Sequence, residues 1–152
     1  NMVKDASTGY FNDYDKWATL VSQAYSTPKP VIIGQEVEGT TDSKDITITI
    51  DITNAGSEMI DATLQVWLTE DNVIGSQKKP EGTDKNYAHN HLMRASISPL
   101  WGDAVRLEAQ QKEQLTYHYT LPENVVKENC NIVALVSVNG EVIQAKETKV
   151  GS

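Results

Sequence analysis

The chain has 152 residues, of which 39% are hydrophobic and 22% are charged, and its net charge is −8 with an isoelectric point near 4.8. These values are typical of one globular domain with its own core, and not of a disordered chain. The negative charge repels phosphate backbones and the basic residues form no cluster, which excludes nucleic acid as a partner. The longest apolar run, Ile132–Val138, has the length of a strand, far short of a membrane-spanning helix.

The N-terminal segment has the periodicity of a helix. Apolar side chains recur at helical spacing after Asp13, a residue type that caps helices, and the stripe consists of Tyr14, Trp17, Leu20, Val21 and Ala24. Pro28 and Pro30 end this segment, because proline disfavours helical geometry in the residue before it. We assign residues 1–27 to a helical connector and residues 28–152 to a second domain. The stripe is expected to pack over Trp67, Val133 and Leu135.

After Pro30 the hydrophobic period changes to two, which indicates strands with one solvated face. Alternating or strand-length apolar patterns occupy 31–37, 46–53, 64–69, 89–97, 105–108, 115–121, 132–138 and the residues after Asn139-Gly140. That Asn-Gly pair favours the type I′ turn of a tight hairpin. The pattern predicts an all-β fold: an antiparallel, immunoglobulin-like β-sandwich of about seven to eight strands, preceded by a short N-terminal helix.

The polar stretch from Asp71 to Asn86 interrupts the strand pattern, and it predicts a mobile loop or a binding loop. Tyr87 borders this stretch, and Trp101 lies in or beside a turn. Both aromatic rings are candidates for a glycan platform. The default expectation for Trp101 is that its ring fixes a loop to the core.

The segment HNH, His89–Asn90–His91, brings two of the three histidines close together. On a β-strand this spacing would place both imidazoles on one face, within reach of one metal ion. A zinc site would need further ligands, for which His118, Glu70 or Asp71 are candidates. The alternative is a strand whose histidines are only hydrogen-bonded, and we predict no metal and no cofactor.

Other reactive residues fit structural roles. Cys130 is the single cysteine, so an intrachain disulfide is excluded, and its place before an apolar strand predicts a small buried hydrophobic residue. Arg94 lies near the edge of the core and needs a carboxylate partner, with Glu70, Asp71 and Asp103 as candidates. The chain has no hydrolase elbow, zinc-protease motif or phosphate-binding loop, and we predict that it is not an enzyme.

Four stretches together resemble the Omp28-related outer-membrane proteins of Bacteroidetes: LTEDNV (68–73), YAHNHLMRASISPLWGD (87–103), YTLPENVVKENCNIVALV (119–136) and VIQAKETKV (142–150). The resemblance implies a β-sandwich of an envelope protein, often a lipoprotein, whose longer relatives carry a preceding thioredoxin-like domain. Such proteins are described as surface or adhesion-related, without catalytic activity. Asn72 and Pro99-Leu100 depart from the family pattern. The family motif, with a structural role, falls on His89, Asn90, His91, Arg94, Trp101 and Gly102.

The sequence therefore predicts a non-enzymatic interaction module of the cell envelope, outside the cytoplasm. It is expected to bind an unidentified protein or glycan partner through its loops, with Tyr87, Trp101 and Asp71 as binding residues. Any membrane attachment is expected through residues preceding Asn1. Two alternatives remain: a structural spacer that follows a thioredoxin-like domain, and a metal site that uses His89 and His91.

Overall fold

The computed structural model describes residues 14–27, 30–40 and 42–150. The chain divides into two compact units, Asn1–Pro30 and Val31–Ser152, each of which is described by itself. In the first unit, helix α1 spans Tyr14–Ser26 and confirms the helix that the periodicity predicts. The capping role of Asp13 lies outside the described residues. The packing of the helix on the sandwich and the domain bounds at residue 27 stay predictions.

The second unit consists of strands. Ten strands occur in the described residues: β1 Val31–Glu38, β2 Asp45–Asn54, β3 Ile60–Glu70, β4 Val73–Lys79, β5 Gly82–His89, β6 Leu92–Ser96, β7 Asp103–Leu107, β8 Lys112–Thr120, β9 Cys130–Val138 and β10 Glu141–Lys149. The sequence pattern predicts eight of them. The two additional strands, β4 and β5, lie in the segment whose polar composition predicts a loop.

The strands form two antiparallel sheets and a separate hairpin. One sheet has the order β1-β2-β8, and the other has the order β10-β9-β3-β6, with β7 also pairing with β3. Strand β3 is the centre of the larger sheet, because β9 lies along one edge and β6 and β7 share the other edge. Strands β4 and β5 pair with each other. The predicted β-sandwich is confirmed.

The core lies between the two sheets and consists of the inward side chains of alternating strands. In β2 the four isoleucines 46, 48, 50 and 52 are buried while the residues between them are half-buried. They join the inward residues of β3 and β9 in one cluster, which includes Leu64, Val66, Leu68, Ile132, Ala134 and Val136. Tyr117 and Tyr119 are half-buried against this core.

Two local predictions are confirmed in the same unit. Asn139 and Gly140 have φ angles of 51° and 79°, as a type I′ turn requires of its two central residues. Cys130 is fully buried, and burial raises the pKa of its thiol to about 11, so the sulfur is an unreactive hydrophobic group at neutral pH. Among the described residues, no helix has the length and apolar character that crossing a bilayer requires.

Candidate functional site

The segment after β3 is a β-hairpin and not a loop, which corrects the expectation for 71–86. Strands β3 and β6 pair up to Glu70 and Leu92, and pairing resumes at Val73 and His89 on β4 and β5. The β4–β5 hairpin therefore continues the β3–β6 pair beyond the sandwich. No residue of either strand is buried, so the strands lack the buried apolar residues whose alternation identifies a half-buried strand.

At the junction between the sandwich and the hairpin, each chain segment contains one residue with left-handed backbone geometry. Asn72 and His91 have φ angles of 57° and 53°, in the left-handed region that Asn and His adopt more readily than most residues. The Asn72 N–H donates to Asn90 Oδ1 at 3.0 Å, and the His91 N–H donates to Asp71 Oδ1 at 2.8 Å. Two side chains thus satisfy the backbone where the ladder of the sheet is interrupted.

This junction explains the HNH segment and corrects its interpretation as a strand. His89 is the last residue of β5, whereas His91 lies in the turn, so the two imidazoles are not two steps along one strand. The His89 ring makes an edge-on contact with Tyr87, with ring centroids 4.9 Å apart. The ring also lies over Gly75, where an added Cβ would be 3.3 Å from the imidazole.

Asp71 connects the junction to the neighbouring strands. Its Oδ2 accepts a hydrogen bond from Asn131 Nδ2 at 2.8 Å. The donors His91 N–H and Asn131 Nδ2 lower the pKa of the Asp71 carboxyl, because they stabilise its ionised form. The His91 Nδ1 lies 3.6 Å from Asp71 Oδ1 and 3.4 Å from Glu147 Oε2. The Asp71 carboxylate therefore stabilises the junction through both of its oxygens.

A metal centre does not emerge from these groups. Within the part of the chain that the structure describes, no group of three or more His, Cys, Asp or Glu side chains is arranged to hold a metal ion. His118, which the sequence suggests as a further ligand, instead has Nδ1 3.2 Å from Thr47 Oγ1.

Arg94 forms the buried pair that the sequence predicts, and Glu70 is its partner. Arg94 Nε lies 3.3 Å from Glu70 Oε2, and the two side chains are 19% and 5% exposed. Glu70 Oε1 accepts the Val126 N–H at 2.7 Å, and Arg94 Nη2 donates to Asn124 O at 3.0 Å. Each charged group therefore has a second hydrogen-bonding partner. The third candidate, Asp103, accepts the Tyr117 hydroxyl at 2.6 Å.

The turn between β6 and β7 is attached to the middle of β3. Val66 donates its N–H to Ser98 Oγ at 3.0 Å and accepts the Ile97 N–H at 2.8 Å. Gln65 Nε2 donates to Leu100 O at 3.1 Å. Sequence reasoning missed Ser98 and Gln65, since neither residue type carries a signal of this role.

Gly102 closes this turn. Its φ is 82°, and an added Cβ would lie 2.5 Å from Thr63 Cγ2 and 2.6 Å from Leu64 O. Trp101 is 85% exposed and Leu100 is 67% exposed, so the expectation that Trp101 fixes a loop to the core is wrong. Gly102, Ser98 and Gln65 attach the turn to β3, and the Trp101 indole takes no part in this attachment.

The hairpin presents a mixed surface. Ile74 is 59% exposed and Tyr87 is 38% exposed. Lys79 Nζ lies 5.0 Å from the centroid of the Tyr87 ring and 2.7 Å from Asp84 Oδ2. Hydrogen bonds from Lys79 and from the Asn86 N–H lower the pKa of the Asp84 carboxyl, so the hairpin carries this ion pair at neutral pH.

A known protein family also matches this chain. The model of the family described as outer membrane protein Omp28 matches residues 7–152. The chain belongs to the Omp28 family. The resemblance that the motifs indicate is thereby confirmed, and membership supports a location in the cell envelope, outside the cytoplasm.

Several solved structures have the same fold as this Omp28-family chain. A domain of the outer membrane lipoprotein Omp28 from Porphyromonas gingivalis is 23% identical with a TM-score of 0.58, over 82% of this chain and 90% of that one. HBP35 of Porphyromonas gingivalis is 14% identical with a TM-score of 0.68, over 88% and 45%. Spo0M, a sporulation control protein of Bacillus subtilis, is 9% identical with a TM-score of 0.59, over 81% and 49%.

The fraction of each solved structure that this chain covers differs. This chain corresponds to nearly all of the Porphyromonas Omp28 domain, but it spans less than half of HBP35 and about half of Spo0M. The fold therefore occurs as one domain of longer proteins. A comparison with curated proteins gave no match.

Proposed function

We propose that this chain is a non-enzymatic interaction module of the cell envelope, which binds a protein or glycan partner with the β4–β5 hairpin as its principal contact surface. The observation that carries the proposal is the hairpin itself. Among the described residues, β4 and β5 pair with each other and pack little against the sandwich. A two-stranded hairpin alone is at best marginally stable in water, and its outer edges carry N–H and C=O groups that a further strand can pair with.

Between the two classes of partner, the hairpin favours a protein. An extended segment of a partner could add a strand to either edge, with side-chain contacts to Ile74 and Tyr87 adding selectivity. A sugar, in contrast, needs an open aromatic face, and the Tyr87 ring has the Lys79 ammonium 5.0 Å from its centroid and the His89 ring at its edge. Asp71 serves this function from the base, because its hydrogen bonds fix the direction in which the hairpin leaves the sandwich.

The proposal is tested by a photo-crosslinking amino acid at Ile74 in living cells, with Ile32 as the matched control. Both isoleucines lie on strands and are similarly exposed, at 59% and 57%. We expect a discrete crosslinked protein from position 74 and not from position 32. Equal yields at the two positions, or none, would contradict a contact through the hairpin. Purified peptidoglycan and surface polysaccharide, tested for protection of Tyr87 from iodination, cover the glycan class.

A structural spacer is the second candidate, and the coverage of HBP35 favours it. Since this chain spans only 45% of that protein, the fold can serve as one segment of a longer protein. A spacer that follows a thioredoxin-like domain would tolerate replacement of the hairpin by a short turn. An interaction module would lose its partner on the same replacement, so a shortened hairpin distinguishes the two candidates.

A further inference from the structure

We propose that the turn formed by Leu100 and Trp101 inserts into the interfacial layer of a lipid bilayer whose surface is electrically neutral. This inference concerns a surface other than the hairpin and goes beyond the proposed function. Leu100 and Trp101 are adjacent, 67% and 85% exposed, and lie at the tip of a turn. Tryptophan is enriched where a bilayer meets water, because the indole combines a large apolar surface with one N–H donor. The chain belongs to a family of outer membrane proteins, so a bilayer is close to where it functions.

Two carbonyls beside the exposed side chains, Pro99 O and Leu100 O, already accept hydrogen bonds. Pro99 O accepts the Gly102 N–H at 2.7 Å and the Ser98 hydroxyl at 3.2 Å. Leu100 O accepts Gln65 Nε2 at 3.1 Å. Carbonyls that have partners can leave bulk water at a much lower cost than unpaired ones.

Polar groups near Trp101 that already have hydrogen-bonding partners also argue against a sugar as its ligand. A glycan site needs free donors and acceptors beside the aromatic ring to bind hydroxyl groups. Here the neighbouring Gln65 amide binds Leu100 O, and the Asp103 carboxylate accepts the Tyr117 hydroxyl at 2.6 Å. What the turn presents is therefore an apolar tip with polar neighbours that already have partners, which fits hydrocarbon and headgroup surroundings better than a sugar.

The rigidity of the turn and the net charge of the chain also favour insertion into a neutral bilayer. The Gly102 conformation and the bonds to β3 order the turn before it binds, which lowers the entropic cost of insertion. The net charge of −8 opposes approach to an anionic surface. We therefore expect insertion driven by apolar contact into zwitterionic lipid, and weaker binding as anionic lipid is added.

The test uses the full chain and vesicles of phosphatidylcholine, alone or mixed with phosphatidylglycerol. Flotation with phosphatidylcholine vesicles should be retained at high salt, and the double variant Leu100→Ala/Trp101→Ala should partition at least about tenfold less. Tyr25→Ala, which removes an aromatic ring that is 92% exposed on α1, is the matched control and should float as the wild type does. Circular dichroism verifies that each variant is folded.

A second readout follows Trp101 alone, in a Trp17→Phe/Trp67→Phe background. Its emission should shift to shorter wavelength with phosphatidylcholine vesicles and be quenched by lipids brominated in the upper acyl chain. No shift and no flotation would overturn the proposal. So would binding that requires phosphatidylglycerol and is lost in salt, or an emission shift with soluble peptidoglycan fragments but not with vesicles, which would assign the turn to a glycan.

Discussion

Asp71 and His91 are joined twice at the base of the hairpin. The His91 N–H donates to Asp71 Oδ1 at 2.8 Å, and the His91 Nδ1 lies 3.6 Å from the same oxygen. The first contact belongs to a reciprocal pair, since the Asn72 N–H donates to Asn90 Oδ1 in the opposite direction. The hairpin is thus tied to the sandwich by side-chain acceptors at the point where strand pairing is interrupted.

Replacing either acceptor should loosen the hairpin and leave the sandwich unchanged. Asn90→Ala removes one accepted hydrogen bond, at a cost of about 1 kcal/mol, whereas Asp71→Ala removes two, from the His91 N–H and from Asn131 Nδ2, and should cost more. We expect faster amide hydrogen exchange in β4 and β5, with unchanged exchange in β2. The double variant should cost less than the sum of the two, because the bonds support the same turn pair. Equal acceleration in β2 would mean that the junction stabilises the whole domain.

The bond network of Asp71 should make part of the stability depend on pH. Its pKa is lowered in the folded chain, so the ionised carboxylate stabilises the fold above the ordinary value of about 3.9, and this contribution is lost as pH falls below it. We expect Asp71→Asn to be less stable than the wild type at pH 7, with the difference shrinking as the pH falls through the lowered pKa of Asp71. Urea midpoints at four pH values measure this. A constant difference would exclude ionisation as its cause.

Gly102→Ala should destabilise the domain far more than Gly140→Ala. Both glycines have left-handed φ angles, 82° and 79°, so both substitutions carry a conformational cost of about 1–2 kcal/mol. At Gly102 the new methyl would also meet Thr63 and Leu64 O, whereas nothing lies within 4 Å of the corresponding site at Gly140. We expect an additional loss of roughly 1–3 kcal/mol at Gly102 in chemical denaturation. Similar losses at both positions would show that the turn adjusts.

Removing the charge of Arg94 should leave the buried Glu70 carboxylate without its ion-pair partner. We expect Arg94→Met to lower the free energy of unfolding by about 3–5 kcal/mol, since breaking a buried pair from one side leaves an uncompensated charge. Lys112→Met is the control: its ion pair with Asp51 has side chains 56% and 29% exposed, and such pairs contribute less than about 1 kcal/mol. If the two variants lose the same amount, solvent reaches Glu70 more easily than its 5% exposure implies.

The parts of the fold that could be predicted are those with a local cause. The buried isoleucines of β2 alternate because one face of the strand is solvated, and Asn139-Gly140 supplies both left-handed residues of its turn. Arg94 needed a carboxylate for the same kind of reason, since a charge near the core must be paired.

The hairpin and the indole could not be predicted, because their causes are distant in sequence. No residue of β4 or β5 is buried, so the pairing of these strands leaves no hydrophobic pattern in the sequence. The φ of His91 is stabilised by Asp71, twenty positions away. Trp101 is 85% exposed at the tip of its turn, whereas the adjacent Gly102 packs against β3.

The central position of β3 has a consequence for how the chain reaches its destination. Glu70 pairs with Cys130 and Thr63 with Ser137, so the β3–β9 pairing joins segments that are far apart in sequence and emerge at different times during export. Until β9 has crossed the inner membrane, β3 has an open edge that any other extended chain can occupy. Periplasmic chaperones that shield such edges should therefore influence the yield of this protein more than its final stability does.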